Sequence, residues 1–199
     1  MARRYDPGRR QRIIDAAIRV AGRDGLAGLS HRTVAAEADV PLGSTTYHFA
    51  TLDDLLVAAL SQANEGFAAA LDAGGALAGG DLAAGLARVL GDWLNGDRPG
   101  AELEYELYLA ALRRPALRPV AARWTEETGA RLSARVDAVT ARALLALMDG
   151  ICLQVLLTGG SYDEAYAREA LGRVIGRTGG CPAGGGRADR VKADPATGT

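Results

Sequence analysis

The sequence predicts an all-α fold. Apolar residues recur at helical spacing along most of the chain, no stretch alternates apolar and polar residues as a half-buried strand does, and β-branched residues are scattered. With 199 residues, 48% of them apolar, the chain can bury a substantial core as one large domain or two small ones.

Nine helices follow in order. Pro7 suits the first turn of a helix over 7–24, Ile13, Ala17, Val20 and Ala21 share a face, and Gly25 closes the end. Ser30 is an N-cap for a short second helix over 31–38, with Val34, Ala35 and Ala38 inward. A turn over 39–42 leads to a third short helix over 43–49. The fourth starts at Leu52, with Asp53 and Asp54 favouring the dipole of its first turn and Leu55, Leu56, Leu60 and Phe67 inward. A Gly-rich segment over 73–80 ends it, and Asp81 caps a fifth helix that turns Leu86, Val89, Leu90 and Trp93 inward. A sixth over 101–112, a seventh from Pro115 to about 136, an eighth over 138–157 and a ninth over 163–175 complete the set. Residues 179–199 are rich in Gly, Ala and Pro without an apolar period, the composition of a disordered tail.

Net charge is −1, but its distribution is uneven: residues 1–50 carry eight Arg against five acids, and residues 51–178 carry twelve Arg against seventeen acids. A basic head on an acidic body implies different partners for the two parts. No apolar run follows the N-terminal charges, so no signal peptide is expected. The apolar run 144–157 is interrupted by Asp149 and Gln154 and is shorter than the roughly 20 residues a bilayer requires. Cys152 and Cys181 match no zinc or redox spacing. These features point to the cytoplasm, with no membrane, metal or cofactor.

Helices two and three, joined by a tight turn, make a helix-turn-helix. Asp39 is one of the few non-glycine residues that accept positive φ in such a turn, and Val40 plugs the space between the helices. The run ADVPLGSTTYHF commits Phe49 inward and leaves Ser44, Thr45, Thr46, Tyr47 and His48 to reach phosphates and base edges in a major groove. Arg32 and Thr33, in the first turn of helix two, suit the phosphate backbone. Pro41 and Leu42 suit either a thymine methyl or a structural turn. Arg3, Arg4, Arg9 and Arg10 form a basic arm or a solvated terminus.

From Arg12 to about Leu60 the chain resembles the DNA-binding domain of the tetracycline-repressor-like (TetR) family of transcription regulators. The matching pieces are IIDAAIRVAGRDG, Ser30 followed by Val34 and Ala35, ADVPLGSTTYHF, and LDDLL. Three departures stand out: Leu52 where many members carry a lysine, Asp39 in place of the common turn glycine, and Thr46 in place of a common tyrosine. The resemblance implies a homodimer whose eighth and ninth helices form a four-helix interface. It also implies double-stranded operator DNA and a small-molecule effector as partners, with repression as the commonest outcome. The expected division is a DNA-binding domain over 1–50 and a ligand-binding and dimerisation domain over 51–178. A helical small-molecule-binding protein without a specific operator is the alternative.

For the effector, Phe67, Trp93, Tyr105, Tyr108, Leu109, Trp124 and Met148 are the candidate pocket, since such pockets combine aromatic walls with a few polar groups. Glu102 and Glu106 either join that pocket or pair with an Arg such as Arg98. Helix eight is apolar almost all round, which suggests a partner chain. Leu144, Leu147, Met148, Ile151 and Val155, with Ala167, Ala170 and Val174 on helix nine, are the expected dimer interface. No phosphate loop, nucleophile motif or His/Cys cluster is present, so catalysis is not expected.

Overall fold

The structure, a computed structural model, describes residues 6–176. Within them lie nine α-helices: α1 (Arg9–Asp24), α2 (His31–Glu37), α3 (Leu42–His48), α4 (Leu52–Ala73), α5 (Leu82–Gly96), α6 (Arg98–Ala110), α7 (Arg118–Ser133), α8 (Ala138–Thr158) and α9 (Glu164–Gly176). No strand occurs among the described residues. Arg3, Arg4, Cys181 and the tail expected over 179–199 lie outside them.

Helix starts follow local capping chemistry. Ser30 and Thr51 each accept a backbone N–H from three residues on, and Thr33 and Asp54 reach back to the cap residues' own N–H groups. Asp81, Asp97 and Asp137 cap α5, α6 and α8 in the same way. Three starts differ from expectation. Pro7 lies in a turn ahead of α1, where Asp6 accepts hydrogen bonds from Gly8 N and Arg12. Helix α6 begins at Arg98, three residues early, because Asp97 caps it and Pro99 sits in its first turn, where a missing N–H costs nothing. Pro115–Leu117 form a separate single 3-10 turn before α7. Between α2 and α3, Asp39 takes φ 53°, the left-handed turn position expected of it.

Two cores organise the molecule. One gathers Ile13, Ile14, Val20, Val34 and Phe49 of the head with Leu55, Leu56 and Leu60 of α4 and Leu103 and Leu107 of α6. The other gathers Phe67 and Leu71 of α4 with the apolar faces of α5, α8 and α9. Packing is therefore continuous across residue 50. Polar contacts reinforce the joint: Gln11 donates to Gln62 at 2.6 Å, and Gln62 donates to Asp15 at 3.1 Å. Helix α8 has the length and hydropathy of a membrane span, yet its inner face (Leu144, Leu145, Met148, Cys152) is part of the second core.

Helix α5 runs close under the Gly-rich turn. A Cβ added at Gly85 would lie 2.8 Å from Ala76 Cα, a backbone atom that cannot swing aside. Gly85→Ala gains helix propensity of about 1 kcal/mol but should still destabilise the protein by a net 1–3 kcal/mol, roughly the cost of overpacking a filled core. Denaturant melts of the two proteins check this; an unchanged or raised midpoint contradicts the packing described.

Candidate DNA-facing surface and effector pocket

Helix α3 is seven residues long, and only half of it faces outward. At 100° per residue, Ser44, Thr45, His48 and Phe49 fall on one side and Gly43, Thr46 and Tyr47 on the other. Tyr47 is 82% exposed, whereas Thr45 is 0% exposed and Ser44 is buried. The Thr45 hydroxyl donates to Leu42 O at 2.7 Å and lies 3.5 Å from His31 O, so it ties α3 to α2. This corrects the expectation that Ser44 and Thr45 touch DNA. A seven-residue helix must spend half its surface sealing the unit, and a hydroxyl is tolerated inward because it bonds a carbonyl one turn back.

The outward set comprises Arg32, Thr33, Pro41, Leu42, Gly43, Thr46 and Tyr47, with His48 half-exposed. Thr33 is engaged by the α2 cap, its hydroxyl donating to Gly28 O and Ser30 O at 3.0 Å. Tyr47 stands edge-on to His48, ring centroids 5.2 Å apart. The Arg10 guanidinium lies 5.1 Å above the Phe49 ring, which fixes the end of α1 against that of α3. Because its hydroxyl is inside, Thr45→Ala should lower stability by about 1–2 kcal/mol, the usual cost of a lost hydrogen bond and its orphaned partner. Thermal melts read this directly; affinity for every DNA sequence should change alike, and a selective loss of sequence preference contradicts it.

In the body, α4, α5, α6, α7 and α8 enclose a small cavity of about 30 Å3. Phe67, Trp93, Tyr105, Tyr108, Trp124 and Met148 line it, joined by Leu90, Glu104, Leu145, Asp149 and Cys152. Phe67 meets the edges of both indoles, with centroids 5.6 Å from Trp93 and 5.1 Å from Trp124. The Tyr105 hydroxyl donates to Asp149 at 3.2 Å, and Tyr108 shares a hydrogen bond with Thr125 at 3.1 Å.

Two carboxyls face this aromatic enclosure, and no Lys, Arg or His is among the residues lining it. Burial and the nearby Asp149 push the Glu104 carboxyl up to about 7, against a smaller opposing pull from a Trp93 hydrogen bond. Burial raises Asp149 as well, with the Tyr105 hydrogen bond opposing. Burial raises the Tyr105 phenol and pushes the Cys152 thiol up to about 12, so neither ionises near neutrality.

Three pocket candidates lie elsewhere. Glu102 pairs with Arg98 at 3.3 Å, Glu106 accepts the Leu26 N–H at 3.2 Å, and Leu109 is 47% exposed. Glu104 was missed because it lies two residues from each of the more conspicuous Glu pair. Its signal was its spacing: Glu104 and Tyr108 are i and i+4, one face of α6. Asp149, read as a break in an apolar run, is the second missed group.

Four of the eight residues expected at the dimer interface turn inward. Leu144, Met148, Ile151 and Ala167 are buried within the chain, and Met148 belongs to the pocket. Leu147, Val155, Ala170 and Val174 are only partly buried. What α8 leaves open is another stripe, spaced by three and four residues: Val139 (77% exposed), Ala143, Ala146, Gly150, Leu153 and Leu157 (77% exposed).

Two family models match this chain: residues 13–59 fit the bacterial regulatory proteins of the tetR family, and residues 77–177 fit the tetracyclin repressor-like C-terminal domain. The chain belongs to the TetR family. It is a ligand-responsive, DNA-binding transcriptional regulator. A TetR-family structure from Streptomyces coelicolor A3 is 74% identical, with a TM-score of 0.81, covering 85% of this chain and 99% of that one. Structures of the multidrug-binding protein EbrR are similarly close. Its imidazole complex is 74% identical, TM-score 0.79, covering 85% of this chain and 96% of that one. Its ethidium complex is 73% identical, TM-score 0.77, covering 84% and 98%. The nicotine-responsive repressor HdnoR of Paenarthrobacter nicotinovorans is 46% identical over 54 residues, 27% of this chain and 28% of that repressor.

Proposed function

We propose that this TetR-family regulator is a homodimeric repressor released from an inverted-repeat operator by flat aromatic cations. One observation carries the effector class: an aromatic cavity with Glu104 and Asp149 in its wall and no cationic side chain lining it. A cation placed there gains from ring faces and from carboxylates in a medium of low polarity. EbrR, complexed with ethidium and proflavin at 73–74% identity, supports that class. Equilibrium binding of ethidium and of an operator fragment tests the whole reading; ethidium should weaken operator binding, and operator should weaken ethidium binding by the same factor. Footprinting separates a repressor from a binding protein that has no operator.

The pH dependence follows from the Glu104 carboxyl. Folding raises it from 4.5 to about 7, so the folded state holds the proton more tightly and the free protein loses stability as pH rises between those values. Ligand binding runs the other way, because a fixed-charge cation needs the carboxylate. Ethidium affinity should rise with pH and level off above about 7, weakening on the acid side by at most about tenfold per pH unit. Glu104→Gln should lower the plateau and flatten the profile. Calorimetric titrations over about three pH units centred near 7 decide it; a profile that falls with pH refutes the assignment.

DNA contact is assigned to the outward residues Thr46 and Tyr47, base reading to the first and a phosphate contact to the second. Thr46→Ala should reduce the preference for operator over random DNA by about 1–3 kcal/mol, whereas Tyr47→Phe should weaken both alike if its hydroxyl meets phosphate. For the dimer, the open stripe of α8 is the assigned face. Leu157→Arg and Leu153→Arg should halve the mass in light scattering while leaving the fold intact, because Leu157 is exposed in the single chain and Leu153 only half-buried. Ile151→Arg, by contrast, buries a charge in the chain's own core and should unfold it. A dimer that survives both Leu substitutions places the interface elsewhere.

A further inference from the structure

The effector cavity is too small for its proposed occupant. Its volume of about 30 Å3 falls far below the roughly 300–1,000 Å3 typical of ligand pockets. Something must move, and the neighbouring space indicates what. An open cleft of about 270 Å3 lies between α1, α4, α5 and α6, and Phe67, Trp93 and Glu104 line both it and the inner cavity. We propose that this cleft is the outer half of the effector site, and that an entering planar cation swings aside the Phe67–Trp93 pair, which now partitions the two spaces.

The inference rests on the cation reading and extends it. The partition consists of two side chains meeting edge to face at 5.6 Å, so opening it requires rotation of rings and no break in a helix. On the opposite side, the inner cavity is closed by Leu145, Met148 and Cys152 of α8, all buried in the second core. The cleft is already open to solvent. Its charged lining is acidic throughout, Asp97 near the mouth and Glu104 at the partition, so a cation crosses no like charge.

The cleft also answers how occupancy reaches the head. Ile18 of α1 faces Leu103 and Leu107 of α6 across it. A ligand that fills both halves therefore touches a head helix directly. No relay along α4 is needed for that contact, and the same α6 holds the head by Glu106 on the Leu26 N–H.

Two fillers test the proposal. Gly66 lies on α4 in the cleft wall, and a Cβ there meets nothing within 4 Å, so Gly66→Leu occupies the cleft without disturbing the fold. Ala63→Phe, one turn earlier in the same wall, blocks it more fully. Fluorescence titration with ethidium should show at least tenfold weaker binding in both variants. A helical circular dichroism spectrum and a melting midpoint close to the parent's certify that each variant is folded. Parent-like ethidium affinity in Gly66→Leu overturns the cleft and leaves the cation reading standing. A parent protein that binds neither ethidium nor proflavin overturns both.

Discussion

Helix α4 belongs to two cores at once, and the rest of the architecture depends on that. Its first half gives Leu55, Leu56 and Leu60 to the head, and its second half gives Phe67 and Leu71 to the body. At 22 residues it is roughly 33 Å long, enough to traverse both parts as one rod. A rod fixed in two packed interiors cannot bend at low cost, so a displacement at one end is carried to the other. The capping box at Thr51 defines where the rod starts, immediately after α3. The orientation of the DNA-facing helix is thereby tied to the packing around Phe67.

The pocket at the far end of that rod carries a cost of its own. Burying Glu104 and Asp149 without a cationic partner destabilises their charged forms, and the raised Glu104 carboxyl is the measure of it. A protein under selection for stability alone would replace these acids with apolar groups. The Tyr105 hydroxyl on Asp149 relieves the penalty in part. The cation proposed as effector would relieve what remains, turning strain in the free state into affinity in the bound one.

The sequence made the fold legible because each helix has both a periodic apolar face and a chemical start signal. Ser30 and Asp81 marked starts that the structure bears out, whereas the caps Thr51, Asp97 and Asp137 were not read from the sequence, and α1 was misjudged where Pro7 was weighed without the adjoining Asp6. The aromatic walls of the pocket were legible too, since large rings concentrate on the inner faces of α4 to α8. Facing direction within short or uniformly apolar helices was not. In α3 a row of hydroxyls has no hydrophobic contrast to orient it, so Thr45 looked like its neighbour Thr46. In α8 the inner and outer stripes are both apolar, and only the neighbouring helices decide that Ile151 faces inward and Leu157 outward.

That same symmetry in α8 bears on how the two ends of the molecule communicate. An outer stripe containing Ala143, Ala146 and Gly150 allows a second helix to approach closely, whereas bulky Leu and Met residues fill the inner stripe. The effector cavity therefore sits one helix thickness behind the surface assigned to the partner. Ligand entering by the proposed route between α1 and α6 would push on the head without first loosening that surface. Energetically this separation matters, because an effector shifts an equilibrium only by the difference in its affinity for the two states. A dimer face that stays constant contributes equally to both states and cancels. On the proposed opening, the coupling is left to the residues that line the cleft and would change surroundings: Phe67, Trp93 and Glu104 of the body, with Ile18 of the head opposite Leu107.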